Sequence, residues 1–242
     1  MIASKKIFII FIGGFIPLLL ISLLWMAYDG PILQLPLLYT ILGLQLYLLG
    51  SIPWGYILYR IRTGRDIRDY GSGKIGTSNM FRTSGKYVGM VVLVLDCSKG
   101  MLAVMVTSQL SLDPWVTVVM LLLIVSGHNW SVFLGFKGGR GIAPALGTLL
   151  ILTPVPAALA MLVFLPVTFI SKYLSLGSIL GVITAVTTVW IFMILDWYLI
   201  FEATYAAIVG AMILFQHRDN MQRIFAGTER RIGQPAEKLT SD

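Results

Sequence analysis

Between two long apolar runs the chain carries Tyr70-Gly-Ser-Gly-Lys-Ile-Gly-Thr-Ser-Asn79, followed closely by Arg82. Glycines let a backbone turn its N–H groups inward, and Ser72, Thr77 and Ser78 add hydroxyl donors beside the Asn79 amide. Lys74 and Arg82 add positive charge, so the segment holds the parts of a phosphate cradle. A second stretch of the same character is Phe136-Lys-Gly-Gly-Arg-Gly141, where Lys137 and Arg140 flank Gly138 and Gly139. It reads as exposed backbone N–H groups set between two cations. Further polar groups are Gly50-Ser-Ile-Pro-Trp-Gly-Tyr56, Gly127-His-Asn-Trp-Ser131, and the set Ser175, Ser178, His217 and Asn220. Each has a plainer reading. Basic residues at the end of an apolar helix anchor it among lipid headgroups, which suits Arg60, Arg62 and Arg65 equally well.

These residues must be positioned by apolar helices. Of 242 residues, 57% are hydrophobic and 12% are charged, half the charge of an average water-soluble domain. A helix crosses a bilayer with about 20 apolar residues, because the backbone must satisfy its own hydrogen bonds there. Such runs occupy Ile7–Ala27, Pro36–Tyr59, Tyr87–Val106 and Trp115–Phe136. Ile142–Ile170 and Tyr173–Phe215 are long enough for two spans each, broken at Thr153–Pro154 and Asp196–Trp197. The fold class is therefore an all-α integral membrane protein with about eight transmembrane helices.

A net charge of +7 would suggest nucleic acid in a soluble protein, but its placement says otherwise. Seven of the 18 Lys and Arg fall between Arg60 and Lys86, and the alternate loops near Asp29, Asp113, Pro154 and Asp196 hold none. By the positive-inside rule, both termini and the glycine segment are cytoplasmic. No nucleic acid is implied. Asp96 and Lys99 stand three apart inside a span and so share a helix face. Either they pair with each other or one supports the polar site from below. The polar tail after Gly227 reads as frayed.

In order and spacing, these blocks resemble the bacterial acyl-phosphate:glycerol-3-phosphate acyltransferases. The resemblance rests on Gly50-Ser-Ile-Pro-x-Gly-Tyr56, the run from Asp66 to Arg82, and Leu95-Asp-Cys-Ser-Lys-Gly100. It continues through Gly127-His to Gly141, Lys172-Tyr-Leu-Ser-Leu-Gly-Ser-Ile179, and His217-Arg-Asp-Asn220 with Ala226-Gly-Thr-Glu229. It implies a seven-span core over 31–216, an extra N-terminal helix within 1–30, and a cytoplasmic tail over 217–242. It implies transfer of a fatty acyl group from acyl-phosphate to glycerol 3-phosphate, giving lysophosphatidic acid and inorganic phosphate in the bacterial plasma membrane. Membrane lipid is the surrounding partner, and no cofactor is implied. The roles it implies are catalytic for His217, Asn220, Arg82 and Arg140. Substrate binding falls to Ser51, Gly71, Ser72, Gly73, Lys74, Thr77, Ser78, Asn79, Lys137, Gly138, Gly139 and Ser178. Three residues depart from the family pattern: Lys74 replaces a usual Asn, Arg140 a usual Lys, and Pro144 a usual Thr.

Other chemistries fit less well. Acyl-CoA-type acyltransferases use His-x4-Asp, yet Phe133 follows His128 and Gln222 follows His217 at that spacing. The base is therefore either His217 or a phosphate oxygen of a substrate. A CDP-alcohol phosphotransferase needs an acidic cluster for metal ions, which Asp66 and Asp69 do not make. An organophosphate transporter would place its cations near the bilayer midplane within an internal repeat, and neither is visible.

Overall fold

The structure, a computed structural model, describes residues 35–234 and 238–239. The first predicted span, Ile7–Ala27, lies outside them. The described residues are helical, with one isolated bridge between Tyr70 and Lys238. The helices are α1 (Leu35–Ser51), α2 (Trp54–Thr63), α3 (Thr77–Thr83), α4 (Lys86–Gln109) and α5 (Pro114–Asn129). They continue with α6 (Ile142–Leu152), α7 (Pro154–Ser171), α8 (Leu174–Ile194), α9 (Ile200–Gln216) and α10 (Arg218–Phe225).

The ends follow from local chemistry. Pro53 has no N–H to give, so the apolar segment Pro36–Thr63 breaks there into α1 and α2. Gly64, at φ +70°, stops α2 by donating its N–H to the Arg60 carbonyl. The Asp113 carboxylate caps the first N–H groups of α5, and Pro114 sits where a helix needs no donor. Thr153–Pro154 separates α6 from α7 where the sequence places the break.

Five described segments are long and apolar enough to cross a membrane, and α9 with α10 adds a sixth, bent by 56° between the two helices. The expected span at the start of Ile142–Ile170 takes a different form. Here α6 has 11 residues, about 16 Å at the usual helical rise, against a hydrocarbon core of about 30 Å. The preceding residues are held as loop rather than helix. The short helix is tolerated because Ala143, Gly147 and Thr148 are buried, away from lipid. A count of eight spans is therefore not reached among the described residues.

At the centre, α5 packs against α1, α4, α6 and α9. Ile124 and Val125 of α5 meet Leu46 of α1, Val104 of α4, Leu149 of α6 and Val209 of α9 in one apolar cluster. On the outside, Val94, Met105, Val119, Leu162, Phe169 and Ile194 stay exposed, a surface suited to lipid. Small residues bring backbones into contact, as membrane helices require when burial from water contributes little. Gly100 of α4 lies against the Pro144 carbonyl, and Gly147 of α6 lies against that of Cys97. Any added carbon would force these helices apart. Gly100→Ala is expected to destabilise by about 2 kcal/mol, or roughly 4–8 °C in melting temperature. A thermal melt of the detergent-solubilised protein measures this.

Candidate active site

The glycine segment is shaped by its own side chains. Asp66 accepts the Arg68 N–H and pairs with its guanidinium at 2.7 Å, which starts a tight turn over Ile67–Asp69. Gly71 and Gly73 then take φ values of +60° and +67°, where a side chain would be strained. Asn79, 1% exposed, clasps the loop. Its Oδ1 accepts the Ser72 N–H at 3.0 Å, and its Nδ2 donates to the carbonyls of Tyr70 (3.0 Å) and Lys74 (2.9 Å). The Ser72 and Thr77 hydroxyls are buried without a protein partner.

The second stretch differs from its reading. The N–H groups of Gly138 and Gly139 are not exposed. They donate to the Asn129 and His128 carbonyls at 3.1 and 2.9 Å, pinning the loop to the end of α5. Gly139 lies so close to the His128 ring that no side chain would fit. The tight turn keeps Lys137 exposed and half-buries Arg140, which donates to the Gln216 carbonyl at the end of α9 (3.2 Å). A cation suits that negative helix end.

Three cations are thus gathered: Lys74 and Arg82 from the glycine segment and α3, and Arg140 from a loop distant in sequence. None has a carboxylate within salt-bridge distance among the described residues. Burial lowers the Lys74 ammonium below its ordinary value, and the Arg140 charge lowers it further. Arg140 is pushed down to about 10 by burial and by Arg223, with Arg82 adding to the effect. Burial likewise lowers Arg82, which donates to the Arg230 carbonyl at 3.2 Å. The two guanidinium groups remain charged at neutral pH. Such mutual repulsion is relieved by an anion.

His217 closes α9 and is 4% exposed. Its Nδ1 lies 2.8 Å from the Ile213 carbonyl, so Nδ1 carries the proton and Nε2 is left as an acceptor. Burial, then the Arg140 charge, push its pKa down to about 4. Ser178 is buried and turns its hydroxyl back to the Leu174 carbonyl. Ser51 is wholly buried, and its hydroxyl has no protein partner.

Glu229 was not among the expected site residues. It lies in the tail that the sequence reads as frayed, yet it is 5% exposed. One carboxylate oxygen accepts from Ser175 Oγ and Asn220 Nδ2, both at 2.7 Å, and the other from Arg223 Nε at 2.8 Å. Burial alone would raise its carboxyl, but these donors hold it below the usual carboxylate value. Ile232 N–H adds a bond to the Lys172 carbonyl, so the tail is fastened. The available sequence signal was Ala226-Gly-Thr-Glu229, which belongs to the same block of the resemblance as His217 and Asn220.

A cavity of ≈ 270 Å³ lies away from these groups, lined by Thr107, Ser111, Leu152, Phe201 and Glu202, and contains none of the expected site residues.

Residues 40–227 match the family model described as glycerol-3-phosphate acyltransferase. A glycerol-3-phosphate acyltransferase of Desulforamulus reducens is 42% identical over 190 residues, covering 78% of this chain and 92% of the relative. One from Aquifex aeolicus is 37% identical over 186 residues, covering 76% and 94%. Among solved structures, PlsY (YgiH), an integral membrane glycerol 3-phosphate acyltransferase, aligns in its glycerol 3-phosphate form with a TM-score of 0.74. The two are 36% identical over 81% of this chain and 96% of that one. The lysophosphatidic acid form aligns with a TM-score of 0.70 at 34% identity, covering 81% and 95%.

Proposed function

This chain belongs to the glycerol-3-phosphate acyltransferase family, and from that premise we propose that it moves a fatty acyl group from acyl-phosphate to glycerol 3-phosphate. The products are lysophosphatidic acid and inorganic phosphate. The observation that carries the reading is the meeting of Lys74, Arg82 and Arg140, with no carboxylate within salt-bridge distance among the described residues, beside the clasped glycine loop. The placement of Lys and Arg supports a site at the cytoplasmic face of the plasma membrane.

Acyl-phosphate is a mixed anhydride, so its leaving group is already good. A glycerol hydroxyl attacks the acyl carbon, the bond from that carbon to the phosphate oxygen breaks, and the phosphate departs with both electrons. What remains is to bring two anions together and to stabilise charge on the carbonyl and phosphate oxygens. Lys74, Arg82 and Arg140 supply that charge, with the Ser72 and Thr77 hydroxyls as further donors. Ser51, Gly71, Gly73, Ser78, Lys137, Gly138, Gly139 and Ser178 line or brace the binding region, and Asn79 holds its shape. Asn220 Oδ1 has no protein partner and is available to a substrate hydroxyl.

Burial and the Arg140 charge lower the His217 pKa to about 4 in the substrate-free protein, and with Nδ1 committed to the Ile213 carbonyl its Nε2 is left as an acceptor. Its Nε2 accepts a hydrogen bond from the hydroxyl and orients it, and the proton passes to a phosphate oxygen. Lowering the pH then protonates that phosphate, whose second ionisation lies near pH 6. The expected profile of kcat/KM has one acid limb with a midpoint near that value. His217→Gln is expected to lower the plateau and leave the midpoint unmoved. A midpoint that shifts in His217→Gln would make the imidazole the base.

The function is tested by following phosphate release from palmitoyl-phosphate by purified protein. Release that requires glycerol 3-phosphate, mole for mole with lysophosphatidic acid, is the expected result. Equal release without the acceptor would reduce the activity to hydrolysis.

A further inference from the structure

Beneath the site, α4 carries two ionisable residues that the proposed reaction does not use. Asp96 and Lys99 are 2% and 1% exposed and pair at 2.7 Å. An ammonium has three protons, and each of them has a partner here. Besides Asp96, Lys99 Nζ donates to the carbonyls of Gly50 (3.3 Å) and Ile52. Those carbonyls lie at the broken end of α1, where Pro53 has no N–H to offer. The Ser51 carbonyl between them accepts from Ser131 Oγ. Lys99 therefore caps α1 from a neighbouring helix, its charge facing the negative end of the helix dipole.

The other partner continues the connection. Asp96 Oδ1 lies 3.6 Å from His128 Nδ1, a packing contact too long for a hydrogen bond, and the far side of that ring packs on Gly139. His128 and Asn129 also hold the Gly138 and Gly139 N–H groups through their carbonyls. One buried pair thus reaches the Ser51 bend on one side and the Arg140 loop on the other. A pair needed only for helix packing would not have to end on two loops.

We infer that Asp96 and Lys99, acting through His128, are positioning residues that set the Gly50–Trp54 bend and the Lys137–Gly141 loop against each other. Their importance to acyl transfer rests on the function proposed above. The geometry they hold does not, and it can be measured without substrate.

Lys99→Met alone leaves Asp96 buried without its counter-charge and is liable to unfold the protein. The informative variant is Asp96→Asn combined with Lys99→Met, in which no orphan charge is left. Amide hydrogen exchange is compared in parent and double variant, together with KM for glycerol 3-phosphate and kcat. The inference expects a cooperative melt in the variant and exchange about tenfold faster at Trp54, Gly138 and Gly139. Amides in the middle of α7 and α8 stay at parental rates. KM rises by about tenfold and kcat changes less. Unchanged exchange at either loop, or faster exchange spread evenly through all helices, overturns the inference. If the parent protein makes no lysophosphatidic acid, the function fails, while the exchange result still decides the positioning role.

Discussion

Arg140→Ala is expected to lower kcat/KM for acyl transfer by about 10²–10³-fold, while the protein still folds and melts cooperatively. The guanidinium is half-buried, has no carboxylate within salt-bridge distance among the described residues, and is already pushed down to about 10 by burial and the neighbouring arginines. It is therefore poised to gain from an anion, and its charge acts where surrounding water is scarce. Each charge-assisted hydrogen bond to a phosphate contributes roughly 1.5–3 kcal/mol, and the fork of Arg140 can make two. Its hydrogen bond within the protein, to the Gln216 carbonyl, contributes modestly to folding. Arg140→Lys keeps the charge and loses the fork, so it should stay within about tenfold of the parent. Initial rates at sub-saturating acceptor measure both. A loss below threefold in Arg140→Ala would remove this residue from the phosphate site.

Removing Glu229 is expected to do more to the fold. Glu229→Ala strands Ser175, Asn220 and Arg223, whose hydrogen bonds all end on this carboxylate. Breaking a fully buried pair costs about 3–5 kcal/mol. Arg223 keeps some contact with solvent, which brings the expectation to about 2–4 kcal/mol. Activity should fall as well, because Asn220 loses the bond that fixes its amide. The melting temperature in detergent checks the first effect. Initial rates of acyl transfer check the second, and trypsin cleavage after Arg230 and Arg231 should speed up once the tail is freed. Glu229→Gln keeps an acceptor for Ser175 and should fall between parent and alanine variant. The Glu229 carboxylate has a pKa below its unfolded value, so its stabilisation is present above about pH 4.5 and is lost as the pH falls further.

Most of the architecture was legible because the membrane imposes a simple rule. Apolar runs become helices, and Thr153–Pro154 and Asp196–Trp197 broke them where proline and polar residues break helices, whereas the break at Pro53 inside the run Pro36–Tyr59 was not read. Length was the weak point. The run beginning at Ile142 is apolar enough for a span, but nothing local states that its helix ends after 11 residues and that its neighbours shield it. The cations Lys74, Arg82 and Arg140 could be picked out because such groups have no role in apolar packing. Backbone use was hidden. Gly138 and Gly139 looked like exposed donors, and only tertiary structure brings the His128 and Asn129 carbonyls within reach of their N–H groups. Glu229 stood in the resemblance, but its role was missed because only the fold brings Ser175 of α8 together with Asn220 and Arg223 of α10 on its carboxylate. The Asp96 and Lys99 pair was expected, but its grip on the end of α1 could not be read from spacing alone.

The most direct test offers purified protein in lipid nanodiscs labelled glycerol 3-phosphate with palmitoyl-phosphate, and in parallel with palmitoyl-CoA. The account predicts labelled lysophosphatidic acid from palmitoyl-phosphate and none from palmitoyl-CoA, with the product lost in Arg82→Ala. Product from palmitoyl-CoA at an equal or greater rate would contradict it, because a site built around Lys74, Arg82 and Arg140 would then be choosing its donor by something other than the phosphate.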